Sequence, residues 1–458
     1  MKYKNIYFIG IGGIGMSAIA RFCKFKGCSV SGYDRTESEL TRELVREGIP
    51  VHYEDRPEMI PADVASTLVV YTPAVPSDLG ELVHARAAGY RVIKRSLMLG
   101  ELTHGETCLA VAGTHGKTTT STLVAHILTE GGQGCSAFLG GISRNYGTNM
   151  LVSETPTVVA EADEFDRSFL QLHPAIAVIT AMDADHLDIY GDLEHVQEAF
   201  RQFASQVSET LILKYGLPVG SDDTQAKIFT YHMDNPAADF HGTGIHLGPD
   251  GRYIFDLVYP GGVLTGIKVG AIGLVNVENS IAAAAMCLCY GLDAQKVKLA
   301  IGSFRGVHRR LELHFDEGGV SYVDDYAHHP AEIASALNSL RGVFPGRKLT
   351  GVFQPHLYTR TRDFAAEFAR SLSLLDKLIL LDIYPAREEP IEGVDSALIF
   401  KDVTCPEKVM LHKEELVGYL AEDDLDVLVT LGAGDIDRQI EPICRMLEEK
   451  VKKNGQGE

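Results

Sequence analysis

The 458-residue chain has no tryptophan, few cysteines and no long apolar run, and each shortage excludes something. Eight cysteines in a chain of this length are too sparse to staple a disulfide scaffold, and none forms a CxxC pair. Cys287 and Cys289 sit two apart in an Ala-rich segment, so on a helix they do not face each other. All eight read as reduced thiols. No apolar stretch approaches the ~18 residues of a membrane-crossing helix, so no membrane insertion is expected. Basic residues are in deficit as well: 42 Lys and Arg against 62 Asp and Glu leave a net charge of −20. That excess of acid repels nucleic acid and anionic lipid as bulk partners. Small anions stay open as ligands, because backbone N–H groups, Lys, Arg and metal ions hold them locally.

With 45% hydrophobic and 23% charged residues, the composition is that of a globular enzyme, not of a disordered, coiled-coil or collagen-like chain. At ~150 residues per domain, the length suggests about three. The N-terminus has a Lys pair and an apolar stretch, like a secretory leader. Its glycine-dense segment Gly10–Gly15 fits a turn better than a leader helix. It is therefore read as part of the fold, and the protein as cytoplasmic.

Hydrophobic patterning predicts an α/β chain throughout. Residues 1–105 alternate strands (Asn5–Gly10, Ser29–Tyr33, Thr67–Tyr71, Arg91–Ile93) with helices (Gly13–Phe25, Glu39–Glu47, Glu81–Ala88), which implies a parallel, Rossmann-like sheet. Residues 106–314 add the strands Cys108–Ala112, Val158–Glu161 and Ala175–Thr180 and the helices Thr118–Glu130, Val196–Val207 and Asn279–Leu292. Between Tyr215 and Gly270, short alternating runs with Gly and Pro predict a small antiparallel annex. Residues 315–458 form a third α/β series: strands Val320–Asp324, Leu349–Phe353, Leu378–Asp382 and Val427–Leu431, with helices Pro330–Val343 and Asp363–Ser373. The closing KVKKNGQGE reads as a frayed tail.

The sharpest motif is Gly113-Thr114-His115-Gly116-Lys117-Thr118-Thr119-Thr120, which follows a strand and opens a helix. Amides of such a turn and the helix N-terminus cradle phosphate, Lys117 reaches the β- and γ-phosphates, and the Thr118 hydroxyl suits Mg²⁺. Val111 stands where the general phosphate-loop pattern has its first Gly, so this is a short P-loop-type turn. Mg²⁺ needs further oxygen ligands. Glu161, with Asp163 and Glu164, ends one strand, and Asp183, Asp185, His186 and Asp188 end another, beside the turn. The N-terminal Gly10-Ile11-Gly12-Gly13-Ile14-Gly15 also joins a strand to a helix, and Asp34 ends the next strand, where an acid meets a ribose. On its own that pattern suits a dinucleotide in a dehydrogenase. The turn recognises nucleotide diphosphate, however, and a UDP-sugar satisfies the same groups.

Three polar clusters lie further on: Arg305, Arg309 and Arg310; Asp324 to His329; and Gln354 to Arg362. Planar Arg donors among aromatics suit phosphate or carboxylate. The His328–His329 pair with Asp324 and Asp325 fits no usual zinc spacing. Two nucleotide-phosphate turns plus an Arg- and His-rich third region suggest one task, the use of ATP to activate a group carried on another nucleotide.

As a set the stretches resemble the Mur ligase family. GIGGIGMSAIA, AGTHGKTTT, EADEFDRSFL, DADHLDIYG, NVENSIAAAA, FRGVHRRLE, DDYAHHPAEI, FQPHLYTRTRDF and DIYPAREEPI occur in the family's order over essentially the whole chain. The resemblance implies an N-terminal UDP-sugar-binding Rossmann-like domain, a central ATPase domain and a C-terminal Rossmann-like domain for the incoming amino acid. It implies ATP-dependent ligation of L-alanine to the lactyl carboxylate of UDP-N-acetylmuramate through an acyl phosphate, in peptidoglycan precursor synthesis. The alternative within the family recycles a tripeptide onto the same UDP-sugar. The UDP-sugar falls to Gly10, Gly12, Gly13, Ile14, Gly15, Asp34, Thr72 and Arg95. ATP falls to Gly113 through Thr119, Asn279 and Arg310, and Mg²⁺ or Mn²⁺ to Thr118, Glu161 and His186. Tyr326, His328, His356 and Arg360 face the acyl group and amino acid, with Lys117, His186, His328 and Arg360 in catalytic roles. Val275 stands where the family commonly has His, and Leu357 where some relatives have Arg. The stretch Gly191–Leu213 holds no Lys, as expected of the alanine-adding member and not of later enzymes of the pathway. The expected assembly is a monomer or homodimer.

Overall fold

The computed structural model describes residues 2–183, 187–386 and 388–455. The chain divides into two compact units. One comprises Met1–Thr243, Asp256–Ile267 and Asn279–Arg305, and the other Gly244–Phe255, Lys268–Glu278 and Gly306–Glu458.

The first unit opens with β1 (Asn5–Ile9), α1 (Ile14–Phe25), β2 (Ser29–Tyr33), α2 (Glu39–Arg46), β3 (Val51–His52), β4 (Thr67–Tyr71), α3 (Gly80–Ala87), β5 (Arg91–Lys94) and α4 (Arg95–Thr103). The apolar run of β1 is buried on both faces, as a central parallel strand requires. The sheet is parallel, in the order β3-β2-β1-β4-β5. The chain leaves β1 toward β2 and later returns to β1's other side as β4. That reversal opens a crevice at the carboxyl end of β1, where Gly10–Gly15 lies.

Then come β6 (Thr107–Ala112), α5 (Lys117–Glu130), β7 (Ser136–Ser143), β8 (Thr148–Leu151), β9 (Thr157–Ala162), β10 (Ile176–Ile179), α6 (Leu187–Tyr190), α7 (Leu193–Ser205) and β11 (Thr210–Lys214). They are followed by β12 (Lys227–His232), β13 (Phe240–Leu247), β14 (Tyr253–Tyr259), β15 (Gly262–Lys268), α8 (Val275–Tyr290) and α9 (Ala294–Ser303). Strand β6 lies between β10 and β9, again at a reversal of strand order, and carries the Gly113–Lys117 turn at its end. The annex departs from the antiparallel expectation. β12 pairs parallel with β11, and β13 enters parallel to β12 at Tyr231↔Phe240, so both extend the main sheet. The connection between β11 and β12 is long enough for the crossover that a parallel pair needs.

The second unit holds β16 (Glu312–Glu317), β17 (Val320–Asp325), α10 (Pro330–Val343), β18 (Leu349–Phe353), α11 (Tyr358–Asp363), α12 (Ala365–Leu372), β19 (Lys377–Leu380), α13 (Ala397–Phe400), β20 (Glu407–Met410), α14 (Leu416–Glu422), β21 (Val427–Leu431) and α15 (Ile440–Gly455). Its sheet runs β16-β17-β21-β18-β19-β20, antiparallel only at β16. The register aligns Asp325, Leu431 and Phe353, so the loops after β17, β21 and β18 emerge side by side. The supposed tail is helical through Gly455. Ile443 and Leu447, one turn apart, are fully buried, and this apolar stripe anchors the helix that continues into the tail.

All eight cysteines are unpaired. No helix among the described residues is long and apolar enough to cross a membrane.

Phe169 sits just beyond the loop after β9, 1% exposed, with its ring centroid 5.1 Å from those of Phe200 and Phe203 on α7. Phe169→Ala opens a cavity there and should cost ~3–5 kcal/mol of unfolding free energy, measured by urea denaturation. A loss below ~1 kcal/mol would show that the cluster does not anchor this loop.

Candidate active site

The turn after β1 is shaped by close approaches that only glycine permits. Gly10 has φ 85°, and a Cβ there would lie 2.6 Å from Thr72 Cγ2. A Cβ on Gly12 would lie 2.8 Å from Asp34 Oδ2, and one on Gly15 2.7 Å from Arg95 Nη1. Thr72, Asp34 and Arg95 therefore surround the turn together. Asp34 has its carboxylate on the turn itself, accepting from Gly12 N–H at 2.7 Å and Thr36 N–H at 3.2 Å.

After β6, Gly113 and Gly116 take φ 130° and 81°. A Cβ on Gly113 would strike Thr180 Oγ1 at 2.1 Å. The turn is tied down on one side by Thr114, whose N–H donates to Ala181 O at 3.1 Å and whose hydroxyl accepts from Asp183 N–H at 3.1 Å. His115 Nε2 stands 3.5 Å from Asp183 Oδ2, and the Thr180 hydroxyl donates to the His115 carbonyl. Thr119 is half-buried on the first turn of α5. Asn279, on α8, lies against the loop: its Oδ1 accepts from the Thr120 hydroxyl at 3.4 Å and is 3.0 Å from where a Gly116 Cβ would be.

Two carboxylates, Glu161 near the end of β9 and Glu164 in the loop after it, meet this turn. Glu161 accepts from the Thr118 hydroxyl at 3.1 Å, from Ser121 Oγ at 3.5 Å and from Gly140 N–H at 3.0 Å. A Cβ on Gly140 would lie 2.3 Å from either Glu161 oxygen, so β7 must present glycine there. Sequence reading passed over Gly140, because nothing local marks a glycine required by a distant side chain. Glu164, 1% exposed, pairs with Lys117 at 2.7–2.8 Å. Burial opposes charge on Lys117, but Glu164, with Asp163 and Glu161 nearby, outweighs it and holds the ammonium above its ordinary pKa. The pair is therefore a salt bridge.

The same loop reaches the elements around the first turn. Arg95 donates to Asp163 at 3.2 Å, and Lys94 to Asp166 at 2.7 Å. A cavity of about 340 Å³ runs between them, lined by Gly13, Ile14, Gly15, Arg95, Gly140 and Glu161 among others. The Thr118 hydroxyl and Glu161 carboxylate are hard oxygen donors beside the N-terminus of α5, a set that suits Mg²⁺ or Mn²⁺. His186 and Asp185 lie outside the described residues.

In the second unit, Tyr326, His328, His356 and Arg360 come together across the ends of β17 and β18. The rings of Tyr326 and His328 are 5.3 Å apart, those of His328 and His356 6.1 Å, and Arg360 Nη1 is 3.4 Å from His356 Nδ1. His328 Nδ1 lies 3.0 Å from the Tyr326 carbonyl, so that nitrogen carries the hydrogen and Nε2 is the acceptor. Burial lowers the His328 pKa to about 4; Arg360 and Arg310 push the same way and Glu332 opposes them. The 3.4 Å approach of Glu332 to His328 is thus a contact of a neutral ring. Arg310 stacks on Tyr326 at 5.2 Å and lies 3.8 Å from Glu332. Asp324 and Asp325 serve the backbone and Arg309. Arg309 Nε donates to Asp324 at 2.9 Å, and Asp325 accepts from the N–H groups of Leu311 and Ala327 at 2.7 Å each. Burial raises the Asp325 pKa to about 6. No group of three or more His, Cys, Asp or Glu among the described residues is arranged to hold a metal. Tyr384, unmarked in the sequence, stacks on His356 at 5.9 Å and accepts from Leu357 N–H at 3.0 Å. Leu357 has φ 72°, a strained value for a branched side chain.

Comparison with known proteins agrees with this layout. Residues 5–107 match the Mur ligase family catalytic domain, residues 111–287 the Mur ligase middle domain and residues 309–434 the Mur ligase glutamate ligase domain. The UDP-N-acetylmuramate–L-alanine ligase of Porphyromonas gingivalis is 50% identical over 456 residues, covering 97% of this chain and 99% of its own. That of Phocaeicola vulgatus is 50% identical over 455 residues, covering 98% and 99%. Among solved structures, the UDP-N-acetylmuramate–alanine ligase of Thermotoga maritima superposes with a TM-score of 0.83 at 27% identity, covering 97% of this chain and 99% of that one. A murein peptide ligase from Psychrobacter arcticus gives a TM-score of 0.68 at 21% identity, covering 98% of each chain. The chain belongs to the Mur ligase family.

Proposed function

We propose that this protein joins L-alanine to UDP-N-acetylmuramate at the expense of ATP, through an acyl phosphate. The observation that carries the reading is the cavity shared by Gly13–Gly15, Arg95 and Glu161. A sugar diphosphate seated on the first turn extends there toward the carboxylate that sits beside Lys117 and Thr118. Near-half identity to alanine-adding ligases over the full length favours alanine over a recycled tripeptide.

In this reading the N–H groups of Ile14 and Gly15, with Thr72 and Arg95, take the UDP diphosphate, and Asp34, holding the Gly12 N–H, keeps the turn in shape. The amides of Gly113 and of His115 to Lys117, with the N-terminus of α5, take the phosphates of ATP, while the Thr114 N–H stays on the Ala181 carbonyl. Thr118 and Glu161, with His186, would hold a divalent cation, which when bound would supply positive charge to offset that of the phosphates. Lys117 covers the oxygens that gain charge as the lactyl carboxylate attacks the γ-phosphorus and the bond to ADP breaks. The alanine amine then attacks the acyl carbon, phosphate leaves, and one proton is lost from nitrogen. Arg360 takes the alanine carboxylate. His328 Nε2 is a lone-pair acceptor directed by the Tyr326 carbonyl, and it orients the amine. With a pKa near 4 it is a poor store for that proton at neutral pH.

Phosphate release in the presence of ATP and UDP-N-acetylmuramate should depend on L-alanine and not respond to the tripeptide. The opposite preference would assign the recycling reaction. Lys117→Ala should lower turnover by at least ~10²-fold while UDP-sugar binding, followed by calorimetry, is retained. Equal loss of both would contradict the separation of the two turns.

A lowered His pKa means that the neutral ring is the folded form over the whole range above it. His328 should therefore stay neutral from pH 9 down to about 5, with the hydrogen on Nδ1, in nitrogen-detected NMR spectra. The pH–rate profile between 6 and 9 should carry no midpoint that His328→Asn removes. A charging midpoint near the ordinary value of ~6.5 would eliminate the acceptor role.

A further inference from the structure

The steps above use Lys117 but not the carboxylate that grips it. Lys117 Nζ lies 2.8 Å from Glu164 Oε1 and 2.7 Å from Oε2, and it donates to the Gly113 carbonyl at 2.7 Å. Two of the three ammonium donors are thus spent on Glu164 Oε1 and the Gly113 carbonyl, and both oxygens of the carboxylate lie against the charge. Glu164 is held in place as well. Its carbonyl accepts from the buried Tyr190 hydroxyl at 2.6 Å, and the next two residues but one, Asp166 and Arg167, take φ 52° and 55°. Three residues earlier, Glu161 is committed separately to Thr118, Ser121 and Gly140.

We propose that Glu164 is a positioning residue that holds Lys117 back in the nucleotide-free chain and surrenders it when a nucleoside triphosphate enters. The inference rests on the nucleotide site proposed above. A phosphate that draws Lys117 toward itself competes with Glu164 for one ammonium charge, and pulling the lysine away leaves a buried carboxylate beside incoming negative charge. Glu164 therefore opposes nucleotide binding. It also gives the lysine a partner when the site is empty, so that a buried ammonium is never left unpaired, and it competes with the phosphates of ADP after the reaction.

The test is nucleotide affinity measured by calorimetry on the full chain with Mg²⁺. Glu164→Gln keeps the side chain's size and removes its charge. ATP and ADP should both bind about tenfold more tightly, the scale of one charge-assisted hydrogen bond. A merely structural defect weakens binding and does not tighten it. Should Glu164→Gln not fold, Lys117→Met and the double variant Lys117→Met/Glu164→Gln decide alone, because the double variant buries no unpaired charge. The double variant should bind ATP several-fold better than Lys117→Met. Unchanged or weaker ATP binding on removing the Glu164 charge overturns the proposal. Lys117→Met with wild-type ATP affinity refutes the nucleotide site itself.

Discussion

Negative charge packed into one short loop is the constraint on which the first unit depends. Glu161 at the end of β9 and Asp163, Glu164 and Asp166 in the loop after it place four carboxylates within six residues, and Glu164 among them is buried. Such a loop is untenable without partners, since a buried charge is stable only when paired. Each partner comes from somewhere else: Thr118 and Gly140 for Glu161, Arg95 for Asp163, Lys117 for Glu164 and Lys94 for Asp166. Neutralising the loop thereby fastens the start of α4, the phosphate-type turn, β7 and β9 to one another. The geometry that serves a reaction between anions is the same geometry that makes the loop foldable.

Both turns were legible in the sequence because a turn is local. Gly10, Gly113 and Gly116 need positive φ or a close approach within a few residues of where they stand, and the strand before and helix after each are periodic. The strands that end in polar clusters were legible for the same reason. What escaped depends on partners far along the chain. Gly140 is required by the side chain of Glu161, twenty-one positions away. The direction of β12 is set by a crossover, and Tyr384 matters only because the sheet of the second unit brings it to His356. The last turns of α15 run into a segment that reads as a tail, because the buried residues that anchor the helix, Ile443 and Leu447, lie before it.

The polar clusters of the second unit look alike as strings of Asp, His and Arg, and packing separates them by task. Asp324, Asp325 and Arg309 are consumed in holding the loop before β16 and those after β17 and β21, with Arg309 also reaching the Gly432 carbonyl at 2.7 Å. A carboxylate that already accepts two backbone N–H groups has little left for a ligand. His328, His356 and Arg360 remain half-buried at the strand ends. Burial of a polar group therefore sorts scaffold from site more sharply than residue type does.

The overall charge of −20 argues against nucleic acid, yet the chain is read as binding two nucleotides, and the two statements rest on different length scales. Surface charge is screened within ~8 Å at physiological salt. Nucleic acid lies across many such lengths and meets the average surface. A nucleotide phosphate inside a cleft meets Lys117, Arg95, the amides of a turn and the positive end of α5. At that range the acids that matter are the four of one loop, and each already has a partner that a phosphate must either share or displace. Affinity at the site is then governed by exchange among a few buried groups, which no count of residues along the chain can reveal.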